Sequence, residues 1–495
     1  MSEDRLLIPG HTCWRIERAD QFACIIDAAD YFHHAKAAML RAQRQIVLIG
    51  WDFDTTITFE RGGTKLAGPN QLGVFLRWLA RVRPKLRIYL LRSNVRLLPA
   101  FEGLWGRVTP VALLNWLSGE RLLFAIDGAH PIGSVPHQKI AVIDDRMAFC
   151  GGIDFTADRW DTREHLDGSR FRRAFGGSYG PRHEVGVAVD GDAARALGEL
   201  ARDRWETATG QALDPVEATH VVWPRGLTPI LRDVDVGIAR TYPEFGDVDE
   251  VREVEALNLA AIAAARHTIY LENQYLASRV LADALAARLG EPDGPEVVVV
   301  MPRKSESRLE EQAMDSARHR LLHYLWAADA HGRFAVYWPE ADGGTPVYIH
   351  AKVLVIDDRL LRIGSSNLNN RSMGFDSECD VAVEADPDDR EHDRIREVIL
   401  SVRNQLIGEH LDVSAEEFED EIARRGTFLT AVEALTGEGR SLRRFTADIV
   451  AGEGSLLAEN DLMDPDHVPR SLGHSVQRWI AGLAAARDEP PPGTT

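Results

Sequence analysis

Two short patterns in the sequence place a lysine two residues after a histidine: His137-x-Lys139 and His350-x-Lys352. Each pattern lies in an apolar alternating run, so a strand would place the imidazole and the ammonium on one face. Phosphoryl transfer requires a nucleophile in line with the leaving oxygen, a proton donor opposite it, and positive groups around the equatorial oxygens. Two histidines and two lysines in one cleft meet these requirements without a metal. The sequence therefore predicts a phosphodiester-cleaving site that needs no cofactor, and it shows no metal-ligand motif.

A longer correspondence follows both patterns and keeps its register without a gap. One His-x-Lys alone is typical of a solvated strand surface, but here further residues match at the same offsets from each histidine. These matched pairs are Gly151 and Gly364, Gly152 and Ser365, and Asp154 and Asn367. Small residues let backbone amides approach a phosphate, so Gly152, Ser365 and Asn367 are predicted to bind it. Asp154 is acidic and is predicted to orient a neighbouring group.

Two pairs of carboxylates also occupy corresponding places in the repeat. Glu184 and Glu378 each begin a strand-like run that closes its half of the chain. A carboxylate bonded to one ring nitrogen of a nucleophilic histidine fixes its tautomer and stabilises the charge that develops, so we expect both to orient the histidines. Asp144 and Asp357 lie five residues after each lysine, farther along the same strand or in its following turn. We expect them to act structurally, by capping or in salt bridges.

The elements that must position these side chains also occur twice. A helix-like segment at 31–40 runs into a strand-like one at 45–52, and the same unit recurs at 254–265 and 268–275. Alternating strands and helices predict an α/β fold in which two duplicated lobes with mixed sheets are related by a pseudo-twofold axis. The predicted units are a first lobe at 1–212, a linker at 213–227, a second lobe at 228–411, and a small helical C-terminal appendage with a flexible tail at 412–495.

Composition and charge narrow the classes of function. A chain of 495 residues, 45% hydrophobic and 27% charged, has globular values and suits two domains. Its 57 Lys+Arg against 76 Asp+Glu leave a net charge of −19, which repels nucleic acid on average. Four widely spaced cysteines indicate reduced, buried thiols. The start lacks a signal-like region and no apolar run reaches about 18 residues, so we expect a cytoplasmic or peripheral membrane protein, with signal-less secretion left open.

The paired His-x-Lys-x-x-x-x-Asp motifs, followed by Gly-Gly or Gly-Ser, resemble those of the phospholipase D superfamily over most of the chain. Several longer stretches are similar to the phospholipases proper, the branch shared with plants and animals. These stretches are Gly151-Gly-Ile-Asp-Phe-Thr-Ala-Asp-Arg-Trp-Asp161, Pro181-Arg-His-Glu184, Ile269-Tyr-Leu-Glu-Asn-Gln-Tyr275, Ile363-Gly-Ser-Ser-Asn-Leu-Asn-Asn-Arg-Ser-Met373 and Asp376-Ser-Glu378. The short motif is shared by many activities, whereas the longer stretches are more specific.

The resemblance implies a bilobal α/β/α fold in which His137 attacks phosphorus and His350 acts as general acid. The groups that it implies for holding phosphate are Lys139, Lys352 and Asn367. Two features depart from the family pattern. The sequence shows no amino-terminal lipid-binding or calcium-binding domain of the kind that larger relatives carry, and Asp154 stands where the family has Asn. The second departure makes the two halves of the site unequal.

Several functions remain open at this stage. The leading hypothesis is hydrolysis of a phosphatidylcholine-like lipid to phosphatidic acid through a phosphohistidine, with transfer to an alcohol when one reaches the intermediate before water. A cardiolipin-synthase-like phosphatidyltransferase is the first alternative, and a nuclease of the same superfamily is disfavoured by the charge. A non-catalytic lipid-binding module would be expected to lack a motif His or Lys, and all four are present. We expect a monomer whose partner is a phospholipid at a membrane surface rather than a nucleic acid.

Overall fold

The structure is a computed structural model that describes residues 5–94, 119–174, 176–306, 314–447, 449–450 and 464–467. Its strands are β1 (Arg15–Ile26), β2 (Gln45–Gly50), β3 (Arg87–Ser93), β4 (Leu122–Asp127), β5 (Ile140–Ile143), β6 (Met147–Gly151), β7 (Arg173–Ala174), β8 (Gly177–Ser178), β9 (Arg182–His183), β10 (Val185–Asp190), β11 (Leu231–Tyr242), β12 (Val251–Arg252), β13 (Thr268–Glu272), β14 (Glu296–Val300), β15 (Phe334–Glu340), β16 (Tyr348–Ile349), β17 (Val353–Ile356), β18 (Leu360–Gly364), β19 (Glu378–Glu384) and β20 (Ser441–Arg444).

The α-helices within the same ranges lie between or after these strands, and a π-helical turn precedes β19. They are α1 (Ala28–Met39), α2 (Leu72–Val82), α3 (Gly191–Thr209), α4 (Glu253–Ala264), α5 (Arg279–Leu289), α6 (Ser316–Ala328), α7 (His392–Leu411), α8 (Ala415–Arg425) and α9 (Phe428–Leu435), and the π-helical turn is Arg371–Phe375. Strands and helices alternate through most of the described chain. The predicted mixed α/β class is confirmed.

One continuous sheet of 16 strands carries the fold: 15 of them follow one order that repeats about the β1–β11 pair, and β12 pairs with β11 outside that order. On one side the order is β1-β10-β6-β5-β2-β3-β4, and on the other it is β11-β19-β18-β17-β13-β14-β15-β20. β2, β3 and β4 are parallel, as are β13, β14 and β15, whereas β1 and β11 pair antiparallel across the centre. The two sets of strands are therefore equivalent, and their sheets are joined edge to edge rather than standing apart.

Helices cover both faces of this sheet, which gives three layers. Alternation along β2 shows why: Val47 and Ile49 face a core that α3 and α7 complete, whereas Ile46 and Leu48 face the core beneath α1 and α2. The first core contains apolar residues from both halves of the chain. In the second half α4, α5 and α6 pack on the face opposite α7. A period of two along each strand is what buries both faces at once.

The C-terminal part contains a strand as well as helices. Ser414 caps α8 through a capping box with Glu417, as its position before an acidic turn predicts. The sequence predicted only helices in this appendage, but β20 pairs antiparallel with β15 and extends the sheet. The flexible tail predicted for the Pro-rich C-terminal end, 489–495, lies outside the described residues. None of the helices in the described ranges combines the length and the apolar content that crossing a bilayer demands.

Candidate active site

The backbone around each motif histidine is bonded to the opposite half of the chain. His137, just before β5, donates its N–H to the carbonyl of Ser377 at 2.9 Å, next to a bridge between Pro136 and Ser377. His350, which follows β16, donates its N–H to the carbonyl of His183 at 2.9 Å, where β16 pairs with β9. Ser377 and His183 are the residues directly before Glu378 and Glu184. Each histidine is thereby fixed beside the carboxylate of the other half.

The side chains complete the same exchange. Nδ1 of His137 lies 3.0 and 3.1 Å from the two carboxylate oxygens of Glu378. Nδ1 of His350 lies 2.9 Å from Oε2 of Glu184. Both glutamates are fully buried. In each half-site, meaning one motif histidine with its lysine and its glutamate, Nδ1 is occupied by a carboxylate and Nε2 is the ring nitrogen left to face a substrate.

The two lysines lie beside their histidines, as the alternation predicts. Nζ of Lys139 donates to the carbonyl of His137 at 2.9 Å and lies 3.2 Å from Oδ2 of Asp154. Nζ of Lys352 donates to the carbonyl of His350 at 2.8 Å and to Oε1 of Gln274 at 3.2 Å. The first lysine thus has a carboxylate partner, whereas both of these Lys352 contacts are to neutral oxygens.

Burial and mutual repulsion perturb these groups. Burial first, and then the charges of Lys139 and Lys352, hold the pKa of His137 well below its usual value. Burial followed by Lys352 has the same effect on the pKa of His350, with a smaller contribution from Lys139. Burial lowers the pKa of Lys352 to about 7. Because each lysine acts on the imidazole of the other half as well as on its own, the four groups share one electrostatic environment.

The orienting glutamates are unusual acids. Burial raises the pKa of Glu378 to about 8, and hydrogen bonds from the hydroxyls of Ser365 and Ser372, at 2.5 and 2.7 Å, oppose that rise. Burial also raises the pKa of Glu184 to about 8, and there the opposing charge is that of Arg159, whose Nε lies 3.5 Å from Oε1. Both carboxyl groups therefore hold a proton more tightly than an ordinary glutamic acid does.

The loops that follow β6 and β18 approach the site closely. A side chain at Gly152 would come within 3.1 Å of the carbonyl of His350, so glycine permits this contact between the halves. The hydroxyl of Ser365, predicted to bind phosphate, is bonded to Glu378 in this structure. The backbone N–H of Asn367 donates to Oγ of Ser372 at 3.0 Å, and Oδ1 of Asn367 is buried without a hydrogen-bond partner among the described residues.

The three aspartates of the motifs lie where they can support the site. Oδ1 of Asp154 accepts the N–H of Trp51 at 2.9 Å, which places Oδ2 against Lys139. Asp144 and Asp357 each accept three consecutive backbone N–H groups at the start of the neighbouring strand. The donors are Gln43, Arg44 and Gln45 for Asp144, and Arg266, His267 and Thr268 for Asp357, at 2.6–2.8 Å. Both aspartates fix the start of a strand that pairs with the strand after a motif lysine. β2 pairs with β5, and β13 pairs with β17.

Sequence reasoning missed several groups that the fold brings to the site. Gln274, Ser372 and Arg159 lie within stretches that resemble the family, but nothing in their spacing links them to a motif lysine or glutamate. The thiols of Cys150 and Cys379 are also adjacent, with their sulfur atoms 3.7 Å apart and both side chains buried. The two cysteines adjoin Gly151 and Glu378, so a thiol pair lies directly behind the site where the halves meet.

Comparisons with known proteins show which families this chain is similar to. A family model described as "Cardiolipin synthase, PLD-like domain" matches residues 259–399, which include the second motif. Phospholipase D1 of Schizosaccharomyces pombe is 22% identical over 522 aligned positions that cover 83% of this chain and 37% of the relative. The alignment thus extends across both motif halves. The chain is similar to phospholipase D proteins over both motif halves.

Two further comparisons show how far the likeness extends. Phospholipase D A of Dictyostelium discoideum is 23% identical over 319 residues, covering 51% of this chain and 24% of that protein. The chain therefore spans about a quarter to two fifths of the length of these two relatives. The crystal structure of phosphatidylserine synthase from Haemophilus influenzae Rd KW20 superposes with a TM-score of 0.54 at 13% identity, covering 79% of this chain and 88% of that one. This last match concerns the fold.

Proposed function

We propose that the chain is a phospholipase D that breaks the distal phosphodiester bond of a glycerophospholipid and releases phosphatidic acid. The observation that supports this most directly is the exchange of carboxylates between the halves: Glu378 holds His137 and Glu184 holds His350. Two imidazoles oriented in this way, with two ammonium groups beside them, supply the nucleophile, the acid and the positive charge that phosphoryl transfer requires. The same arrangement supports transfer to an alcohol.

In the first step Nε2 of His137 attacks phosphorus while the headgroup oxygen departs. A P–N bond forms, the P–O bond to the headgroup breaks, and its electron pair leaves with the oxygen. That oxygen takes a proton from Nε2 of His350, so the headgroup leaves as an alcohol with a neutral hydroxyl rather than as an alkoxide. Lys139 and Lys352 neutralise the non-bridging oxygens during the transfer. The product is a phosphatidyl group bound covalently to His137.

In the second step the histidines exchange duties. His350 now lacks its Nε2 proton, so it accepts one from an incoming water as the water oxygen attacks phosphorus. The P–N bond breaks, its electrons return to Nε2 of His137, and phosphatidic acid leaves. His350 regains its proton and His137 regains its lone pair, which restores the starting state. An alcohol in place of water gives the transphosphatidylation product by the same bond changes.

The buried carboxylates explain how two similar histidines can begin in opposite states. A protonated glutamic acid donates to Nδ1 and leaves the ring proton on Nε2, which makes that histidine an acid. An ionised glutamate accepts the Nδ1 proton and leaves Nε2 bare, which makes the histidine a nucleophile. The raised pKa of Glu378, about 8, allows both forms to be reached near neutral pH. One pair in each form constitutes the active state.

A cardiolipin-synthase-like phosphatidyltransferase is the second candidate, and the family model matched at 259–399 favours it. The two candidates share the phosphohistidine and differ only in the acceptor that reaches it. A nuclease has less support because the net charge of −19 opposes the approach of a polyanion. These three activities differ in the substrates and acceptors that they use. The experiment must therefore offer a substrate for each activity.

The deciding assay supplies the full chain with phosphatidylcholine vesicles and ethanol at pH 8, with and without EDTA. We expect phosphatidylethanol and phosphatidic acid, and we expect neither with His350→Ala as the matched control. Parallel reactions contain phosphatidylglycerol or a single-stranded oligonucleotide. Cardiolipin from phosphatidylglycerol without any turnover of phosphatidylcholine would favour the synthase, and cleavage of the oligonucleotide alone would favour the nuclease.

We also propose that one copy of the chain acts at a membrane surface as a monomer. Both half-sites come from the same polypeptide, so no second copy is required to complete the catalytic groups. Multi-angle light scattering should then give the mass of one chain, about 55 kDa. Co-sedimentation with phosphatidylcholine vesicles should retain the protein. A stable dimer, or lipid turnover without any vesicle binding, would contradict this proposal.

A further inference from the structure

A second cluster of chemically active side chains lies outside the candidate active site and is almost entirely buried. It consists of two imidazoles and two carboxylates that come from four separate segments of the chain, and we call it the buried quartet. Its members are Asp27 between β1 and α1, His165 in the loop after β6, His183 in β9, and Glu409 in α7. None of the four residues is more than 6% exposed. No step of the proposed reaction uses them.

The four side chains converge on one point. Oε1 of Glu409 lies 2.9 Å from Nδ1 of His183 and 3.2 Å from Nε2 of His165. Asp27 lies opposite, with carboxylate oxygens 3.4 Å from the same nitrogen of His183 and 3.7 Å from that of His165. Bonds of about 2.0–2.1 Å to a tetrahedral metal place neighbouring ligands about 3.3–3.4 Å apart. The observed separations lie around that value.

A second layer of carboxylates holds the far side of each ring. Nδ1 of His165 lies 3.1 Å from Oδ2 of Asp161, and Nε2 of His183 lies 2.9 Å from Oε2 of Glu272. In metal sites a ligating histidine commonly has its other ring nitrogen bonded to a carboxylate, which fixes the tautomer and the ring orientation. Both histidines of the buried quartet show this arrangement, each turning its remaining nitrogen toward the same centre.

One atom of the cluster is left without a hydrogen bond. Oδ2 of Asp27 is buried and accepts none from the described residues, although the residue is only 1% exposed. A buried carboxylate oxygen without a donor is costly. A cation between Asp27 and Glu409 would remove that cost, because two carboxylates and two neutral imidazoles around a divalent ion form an electrically neutral site.

We propose that the buried quartet binds one divalent transition-metal ion of the Zn²⁺ type in tetrahedral N₂O₂ coordination. The sequence showed no metal-ligand motif because these four ligands are spread from residue 27 to residue 409. Two histidines with two carboxylates are borderline ligands that suit Zn²⁺ and Co²⁺. The four protein ligands leave no open position, so the ion is structural and takes no part in phosphoryl transfer.

The ion would join the two halves of the chain next to the segment that positions His350. Asp27, His165 and His183 belong to the first half, whereas Glu409 lies in α7 beyond the second motif. The carbonyl of His183 accepts the N–H of His350, and Glu184, which orients the ring of His350, follows it directly. The metal therefore holds the segment that positions His350.

One member of the buried quartet, Glu409, borders a surface cavity. An open surface cavity of about 370 Å³ reaches Glu409, and its wall includes Arg163 and Arg440. Nε of Arg163 lies 2.5 Å from Oε2 of Glu409, the oxygen that does not face the histidines, and its side chain is 42% exposed.

The test measures metal in the purified full chain by mass spectrometry, before and after incubation with Zn²⁺ and removal of unbound ion. We expect about one equivalent per chain, and its loss in Asp27→Asn and His165→Gln. His410→Gln is the matched control, because His410 is equally buried and bonds to Glu272 at 3.2 Å but lies outside the buried quartet. This control should keep its metal. Loss from His410→Gln with retention in Asp27→Asn would overturn the assignment.

A second measurement uses the unaltered protein, so it does not depend on whether a variant folds. Chain that has been stripped with a strong chelator during mild unfolding and refolded with Co²⁺ should show the intense visible absorption of a tetrahedral Co²⁺ site, and its unfolding temperature should be higher than without the ion. The absence of bound Zn²⁺ and of this absorption would mean that the buried quartet is a metal-free ion-pair network, and the proposal would then be wrong. Lipid turnover is measured separately and decides the proposed function alone.

Discussion

The half-site of His137 and the half-site of His350 share one backbone arrangement but differ in the groups around their carboxylates. Glu378, which holds His137, accepts hydrogen bonds from two neutral hydroxyls. Glu184, which holds His350, instead lies beside the guanidinium of Arg159. Equivalent strands place the two rings, whereas the groups that oppose the raised pKa of each carboxyl differ: hydroxyls for Glu378 and a guanidinium for Glu184. A duplicated fold can thus give two identical side chains different surroundings.

The lysines differ in the same way. Lys139 faces the carboxylate of Asp154, whereas Lys352 faces the amide oxygen of Gln274. A carboxylate partner shares the charge of Lys139 before any substrate arrives. Burial lowers the pKa of Lys352 to about 7, because it disfavours the charged ammonium. A bound anion would offset that cost and favour the charged form. We therefore expect a bound phosphate to stabilise the charge of Lys352 more than that of Lys139.

The largest expected effect comes from removing each imidazole in turn. His137→Ala and His350→Ala should each lower turnover of phosphatidylcholine by about 10⁴-fold, because both steps use both rings. A p-nitrophenyl ester separates the nucleophile from the general acid, because nitrophenolate leaves without needing a proton. His350→Ala should then release a burst of nitrophenol and accumulate phosphohistidine, detected by intact-protein mass spectrometry, whereas His137→Ala should do neither. The reverse pattern would exchange the two roles.

The orienting carboxylates should give the next largest effect. Glu378→Gln replaces an acceptor by an amide that holds the wrong tautomer, so kcat should fall on the order of 10³-fold with little change in KM. With the p-nitrophenyl ester, Glu378→Gln should slow the burst, whereas Glu184→Gln should slow only the steps after it. Circular dichroism checks that both variants fold. Full activity in either variant would remove its orienting role.

The rising side of the pH profile should report the first half-site. Below its pKa of about 8, Glu378 is protonated and leaves the ring proton on Nε2 of His137, so kcat/KM should rise about tenfold per pH unit up to that value. Above it Glu184, whose pKa is also about 8, ionises and removes the acid form of His350, so kcat/KM should fall again. The hydroxyl of Ser372 lowers the pKa of Glu378, so Ser372→Ala should move the rising side of the kcat/KM profile to higher pH. If the rise in kcat/KM occurs at the same pH in the parent, in Ser372→Ala and in Glu378→Gln, another group titrates there.

The smallest expected effect comes from making the half-sites alike. Asp154→Asn removes the carboxylate from Lys139 and leaves its buried charge without a partner until phosphate binds. The free variant should unfold at a lower temperature, inorganic phosphate should restore more stability than in the parent, and KM should fall about fivefold with kcat nearly unchanged. Asn367→Asp is the matched exchange in the other half and should raise KM. Equal KM values in all three proteins would show that the difference is unimportant for binding.

Local pattern predicted the parts of the fold that repeat within each half. The strands after His137 and His350 are apolar runs in one register, and they form β5 and β17. The capping role expected for Asp144 and Asp357 matches their three backbone hydrogen bonds each. β1 was missed because its first half, Arg15-Ile-Glu-Arg-Ala-Asp20, is mostly charged and shows neither strict alternation nor a continuous apolar run. It nevertheless lies at the centre of the sheet.

Contacts between the halves could not be read from spacing. Glu378 is 241 residues from His137, and Glu184 is 166 residues from His350, so only the packing of the two halves brings each pair together. The same holds for the thiols of Cys150 and Cys379, which are 229 residues apart in sequence. A repeat shows that two motifs correspond, but not which carboxylate each one meets.

The reciprocal contacts between the halves also bear on how such a protein can be built. A polypeptide with only one repeat of this kind would carry a histidine without its glutamate and a glutamate without its histidine. Two such molecules would have to associate head to head before either could work. Fusing the repeats into one gene makes that association independent of concentration, and it frees each copy to diversify as long as its counterpart changes with it.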